Sequence, residues 1–147
     1  MRRNCITILT IAVTFIITAS CTKMFPNEKL DHMWRLDQVE YRDGKDFNGL
    51  PCNVEQKRKI WYCFQRDIIE IRNNNNMDVI FGVISEDGNE IRMDFATYNT
   101  GYAPDSLSSD LNFLGIGSPV ITYHIDKLDR SGMILSDSKT ILSFTRW

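Results

Sequence analysis

Glu90-Ile91-Arg92-Met93-Asp94-Phe95-Ala96-Thr97, entered through the pair Asp87-Gly88, is the stretch that decides the fold. Ile91, Met93 and Phe95 fall on one side of an extended chain, and Glu90, Arg92 and Asp94 on the other. Side chains of a strand alternate between its faces, so this period of two describes a sheet that is dry on one side and wet on the other. Asp-Gly accepts the positive φ of a tight hairpin turn, which places a second strand directly before it.

Upstream, the same grammar repeats. Met77 to Ile84 alternates through Met77, Val79, Phe81 and Val83, with Gly82 beside Ile80 on the other face. Asn73 to Asn76 supplies a turn, because asparagine tolerates left-handed backbone. Ile68 to Arg72 sets Ile69 and Ile71 against Glu70 and Arg72, Gln65-Arg66-Asp67 reverses the chain, and Ile60 to Phe64 is an apolar strand. The first strand carries Trp34 and Leu36 in one phase and Val39 and Tyr41 in the opposite one. One extra residue near Asp37-Gln38 explains the change, as in a β-bulge at a barrel rim. Between Phe47 and Lys59 the period is lost; Asn53 to Lys59 is expected to form one or two helical turns capped by Asn53, or a plain connector.

Downstream lies a long exception, residues 98–119, rich in Gly, Ser, Asn and Asp. Ser106 to Leu114 is expected to contain a short helix ending at Gly115. Structureless segments of such length are usually functional or disordered. Val120 to Leu128, Met133 to Ser136 and Lys139 to Trp147 then complete eight strands, nearly all joined by tight turns. No helical crossover is available for a parallel sheet. Eight sequential antiparallel strands leave two bare edges unless they close, so the expectation is an all-β up-and-down barrel, with a two-layer β-sandwich as the alternative.

The start of the chain has a different logic. Arg2 and Arg3 precede an apolar core, Ile6 to Ile17, which is shorter than the roughly 20 residues of a spanning helix. The pattern is that of an export signal removed afterwards. Thr18-Ala19-Ser20-Cys21 resembles the lipobox of bacterial lipoproteins, with Thr18 where leucine is commonest. That resemblance implies a signal peptide over 1–20, acylation of Cys21 and a lipidated tether over 21–29, leaving 30–147 as one domain. Each buried methylene adds roughly 0.8 kcal/mol, so two or three chains make a durable anchor in membrane lipid. Surface-exported lipoproteins of one Gram-negative group carry an acidic cluster just after the cysteine; residues 22–27 have none, and the lipoprotein resemblance therefore implies the periplasmic face of the outer membrane.

The net charge of −2, with mixed signs along the chain, argues against a nucleic-acid partner. Cys52 and Cys63 are candidates for a disulfide in an oxidising compartment, or for two buried free thiols. They form no CxxC redox pair, and His32 and His124 lack metal-ligand spacing. No glycine-framed nucleophile and no phosphate-cradling loop is present, so neither catalysis nor a cofactor is expected.

Trp34 and Leu36, with Asp43-Gly44 behind them, and the closing run Leu142-Ser143-Phe144-Thr145-Arg146-Trp147 resemble the lipocalin-like domains of small bacterial lipoproteins. The resemblance implies that Trp34 packs at the closed end beneath Arg146, as a cation–π pair worth about 0.5–2 kcal/mol. The glycine usual two positions before that tryptophan is His32 here. The first functional expectation is a carrier or sensor of a small apolar ligand, lined by Tyr98, Tyr102, Phe113, Tyr123 and His124 and covered by the 98–119 loop. The second is a non-catalytic envelope scaffold that docks a protein partner through that loop.

Overall fold

The computed structural model describes residues 29–74, 78–97 and 104–147. Eight strands follow one another: β1 (Met33–Tyr41), β2 (Val54–Gln65), β3 (Ile68–Asn73), β4 (Asp78–Asp87), β5 (Glu90–Asp94), β6 (Val120–Leu128), β7 (Gly132–Ser136) and β8 (Thr140–Arg146). Helix α1 (Pro104–Phe113) interrupts them between β5 and β6. Each strand pairs antiparallel with the next, and β8 returns to pair with β1, closing the barrel. Closure leaves no row of unpaired backbone groups, which an open sheet of these strands would expose. The sandwich alternative is thereby excluded.

Register follows the alternation. Ile69 and Ile71 of β3, Ile91 and Met93 of β5, and Leu142 and Phe144 of β8 are buried, while their neighbours along each strand are less so. In β1 the inward phase changes from Trp34 and Leu36 to Val39 and Tyr41, and both pairings of β1 shift register between Leu36 and Gln38. The bulge stands where the hydrophobic phase predicts it. In β4 the inward row is Ile80, Gly82 and Ile84, so the bulkier row of Val79 and Phe81 faces solvent. Gly82 is small for a reason: a methyl there would lie 2.8 Å from the Phe95 ring and 3.0 Å from Ile69 Cγ2.

One expectation is corrected, and of two open readings of the cysteines one is found. Residues 54–59 are not helical; they extend β2, with Val54, Glu55 and Gln56 pairing Glu40, Val39 and Gln38. Glu, Gln, Lys and Arg favour a helix in isolation, but ladder bonds to β1 outweigh an intrinsic preference of a few tenths of a kcal/mol per residue. Cys52 and Cys63 are free thiols, and they do not form the disulfide considered above. Val54 to Cys63 is one strand, which at about 3.3 Å per residue sets the two sulfurs roughly 30 Å apart. Burial pushes both thiols above the ordinary range, so neither is poised as a thiolate.

The β1–β2 and β5–β6 connections and α1 lie at one end of the barrel, the plugged end. Lys29, the 66–67 and 129–131 turns and Trp147 lie at the other, the tether end.

Candidate functional site

The interior is filled by the barrel's own side chains and by α1. Leu107 and Leu111 of α1, then Leu114 and Ile116, are at most 5% exposed and join the core formed by Leu36, Ile60, Ile91 and their neighbours. The helix terminates with Gly115 at φ +84°, where the Ile116 N–H bonds the Leu111 carbonyl at 2.8 Å and the Gly115 N–H bonds that of Asn112 at 3.1 Å. This is the left-handed cap that favours glycine. A methyl on Gly115 would also meet Val39 Cγ2 at 2.7 Å and Leu142 Cδ2 at 2.8 Å.

Three hydroxyls inside the barrel hold the end of the plug. Tyr62 Oη donates to the Leu114 carbonyl at 3.0 Å, Tyr123 Oη to the Gly115 carbonyl at 3.1 Å, and Thr140 Oγ1 to the same carbonyl at 3.3 Å. Burial holds both tyrosine hydroxyls well above their ordinary pKa, so they remain donors. Tyr123, expected to touch a ligand, instead fixes the plug from below.

A pocket of about 280 Å³ opens between α1, the β1–β2 connection and the rim of β2. Phe47 and Phe113 give it aromatic faces, and the rest of its lining is polar: Tyr41, Asp46, Asn48, Glu55, Lys57, Ser109 and Asn112. Lys57 Nζ lies 2.8 Å from Glu55 Oε2 and 3.8 Å from the centroid of the Phe113 ring, and its side chain is only 10% exposed. A cation held between a carboxylate and a ring face is fixed at both ends. Tyr41 Oη stands 3.5 Å from the same carboxylate, its pKa raised first by burial and then by that negative charge. Phe47 meets the Tyr41 ring edge-on at 5.7 Å.

Of the residues expected at a ligand site, Phe113 is at this pocket and Tyr123 is beneath the plug. His124 is on the outer wall, exposed, with Nε2 3.8 Å from Asp126 Oδ1, and lines no interior; alternation alone puts it opposite Tyr123. Tyr98, Tyr102 and Cys21 lie outside the described residues. Glu55 and Lys57 escape sequence reading because residues 54–59 show no apolar face to mark a strand.

At the tether end, Trp34 and Arg146 are cross-strand partners on β1 and β8. Trp34 is fully buried and its indole N–H donates to the Leu30 carbonyl at 3.0 Å. Arg146 Nη2 lies 3.2 Å from His32 Nδ1, and the His32 ring meets the Trp34 ring edge-on at 6.4 Å. His32 thus links the Arg146 guanidinium to the Trp34 ring. Among the described residues no group of three or more His, Cys, Asp or Glu side chains can hold a metal, and no helix is long and apolar enough to cross a membrane.

Two solved structures share this architecture. One, an uncharacterized protein from Bacteroides eggerthii DSM 20697, is 21% identical with a TM-score of 0.61, over 79% of this chain and 98% of the other. The second, a lipocalin-like protein from Bacteroides uniformis ATCC 8492, is 21% identical with a TM-score of 0.58, over 81% of this chain and 99% of its own. No curated protein matches the chain. The sequence profile of the family described as a lipocalin-like domain matches residues 15–147, nearly the whole chain, and that breadth together with the closed eight-stranded barrel makes this protein a member of the lipocalin-like domain family.

Proposed function

We propose that the protein is a lipid-anchored, non-catalytic lipoprotein of the periplasmic face of the outer membrane that holds a small amphipathic ligand at the plugged end of its barrel. The observation that carries the ligand reading is the pocket in which Phe47 and Phe113 stand beside the Glu55–Lys57 pair. Two rings among seven polar side chains suit a small molecule with a short apolar part and several polar groups, and a volume of about 280 Å³ sets its size. The ligand that fits has one flat apolar part for the two rings and, among its polar groups, one for the ion pair.

A wholly apolar guest in the barrel interior fits less well. It has to displace Leu111 and Leu114 and break the hydroxyl bonds to the plug, each of which contributes about 1 kcal/mol. The anchor is supported by the charged start, the short apolar core and the neck before Cys21. A docking role is the second reading, supported by Phe113, which is 47% exposed at the surface of α1.

Native mass spectrometry of the full chain recovered gently from its membrane tests both. The expected result is a co-purifying small molecule that is lost in Phe113→Ala and Lys57→Ala, and a Cys21 peptide carrying acyl mass. A chain that arrives empty and binds no member of an aromatic-acid and aromatic-amine library overturns the ligand reading. An unmodified Cys21 overturns the anchor.

A further inference from the structure

At the tether end, Lys29, His32, Arg130 and Arg146 surround a concavity of about 410 Å³, together with Leu128 and Asp129. Lys29, Arg130 and Arg146 against the single Asp129 carboxylate leave the wall net positive, and the arrangement persists at least cost when an anion fills it. The one carboxylate in the wall is committed elsewhere. Asp129 Oδ1 accepts the backbone N–H of Ser131 at 2.8 Å and of Gly132 at 2.9 Å and the Ser131 hydroxyl, while Lys127 Nζ sits 3.1 Å from Oδ2. Asp31, next to His32 in the chain, turns its carboxylate to the Arg66 backbone N–H at 2.7 Å. Among the described residues Lys29 and Arg130 have no carboxylate partner, and the Arg146 side chain has His32 Nδ1 instead of one. Arginine has only donors, so in this contact Nδ1 is the acceptor.

The same end of the barrel carries a ring suited to a lipid surface. Trp147 is 72% exposed and stacks edge-on against Trp61 at 6.1 Å, the amphipathic ring type that settles at headgroup level. The chain also enters the barrel here, at Lys29. The segment from Cys21 to Lys29 spans at most about 28 Å when fully extended, so an anchor at Cys21 keeps this end near the bilayer.

We propose that the concavity is a phosphate site, and that its occupant is the phosphate of a phospholipid headgroup. Lys29 and Arg130 supply point and fork charge, and Arg146, steadied by His32, presents its guanidinium from the barrel wall. The nearness of the bilayer rests on the anchor proposed above; the site itself does not.

The test uses the full chain in zwitterionic detergent, followed by backbone amide NMR. It is titrated separately with inorganic phosphate and with a short-chain phosphatidylglycerol below its micelle concentration. The expected result is saturable shifts at residues 29–32, 128–132 and 146 with the lipid, weakened about tenfold in Lys29→Ala/Arg130→Ala. Lys45→Ala/Lys59→Ala, the same change of charge elsewhere, leaves them unaltered. Shifts that are absent, spread round the barrel, or weakened equally by both pairs overturn the site. Saturable binding of inorganic phosphate without the lipid overturns the headgroup as occupant. A bare Cys21 leaves either result standing, so the anchor and the site fail separately.

Discussion

Removing the hydroxyl of Tyr62 leaves the Leu114 carbonyl inside the barrel without the donor it has at 3.0 Å. A stranded buried acceptor costs about 1–3 kcal/mol, so Tyr62→Phe is expected to lower stability within that range. Tyr123→Phe is expected to cost less, because Thr140 Oγ1 still reaches the Gly115 carbonyl at 3.3 Å. Urea unfolding measures the pair: the midpoints fall in the order wild type, Tyr123→Phe, Tyr62→Phe, with unchanged slopes. Equal midpoints for the two variants refute the shared-acceptor account. A pH effect belongs at the same scale. Backbone and side-chain donors of Ser131 and the backbone of Gly132 hold the Asp129 carboxyl well below the usual carboxylate range. A carboxyl whose folded pKa is depressed stabilises above its unfolded value and loses that contribution as pH falls through the folded one. The stability gap between wild type and Asp129→Ala is therefore expected to be full above about pH 5 and to shrink on acidification below about pH 4. A gap that is constant with pH excludes the carboxylate as its source.

Helix α1 decides what the barrel can hold, and Gly115 decides where α1 ends. A side chain at Gly115 is strained by φ +84° and crowds Val39 and Leu142. Gly115→Ala is expected to loosen the plug and expose the interior, raising binding of a hydrophobic fluorophore and amide exchange over 107–116 while exchange in β3, β4 and β5 stays slow. Uniformly faster exchange in every strand instead makes the plug part of one cooperative unit with the wall. Sequence reading finds α1 within two residues of its start and places its end at Gly115, because serines, periodic leucines and a terminal glycine are all local signals. It also finds the bulge in β1, where hydrophobic phase slips by one. The strand at 54–59 is invisible to it, since beyond Val54 the residues alternating with Glu55, Lys57 and Lys59 are the polar Gln56 and Arg58, and the ladder to β1 is nonlocal. The pocket built on that strand was illegible for the same reason. Two rings far apart in the chain, Phe47 and Phe113, come to line one pocket only once the barrel is closed.

The whole molecule depends on the seam between its first and last strands. Trp147 N–H bonds the Met33 carbonyl at 2.9 Å, while Arg146 N–H bonds the Ser131 carbonyl at 3.1 Å on the other side. Donors along an antiparallel strand alternate between its two neighbours, so Thr145, opposite Arg35, also points its N–H across the seam to β1. A proline at 145 deletes that donor and wedges a ring between paired strands. In an open sheet β8 lies at an edge, where a proline whose missing N–H faced water is tolerated. In a closed barrel the same residue has partners on both sides, and the loss is expected to reach at least the cost of a stranded ladder acceptor, about 1–3 kcal/mol. The Thr145 hydroxyl also bonds Asp37, so Thr145→Ala serves as the control. That contact is exposed, and its loss is expected to cost well under 1 kcal/mol. Thermal unfolding should therefore separate the two variants widely, with Thr145→Pro losing much of the cooperativity of the whole domain. Near-equal midpoints require β1 and β8 to part without consequence, and a barrel that opens so freely along that line has no reason to keep its plug.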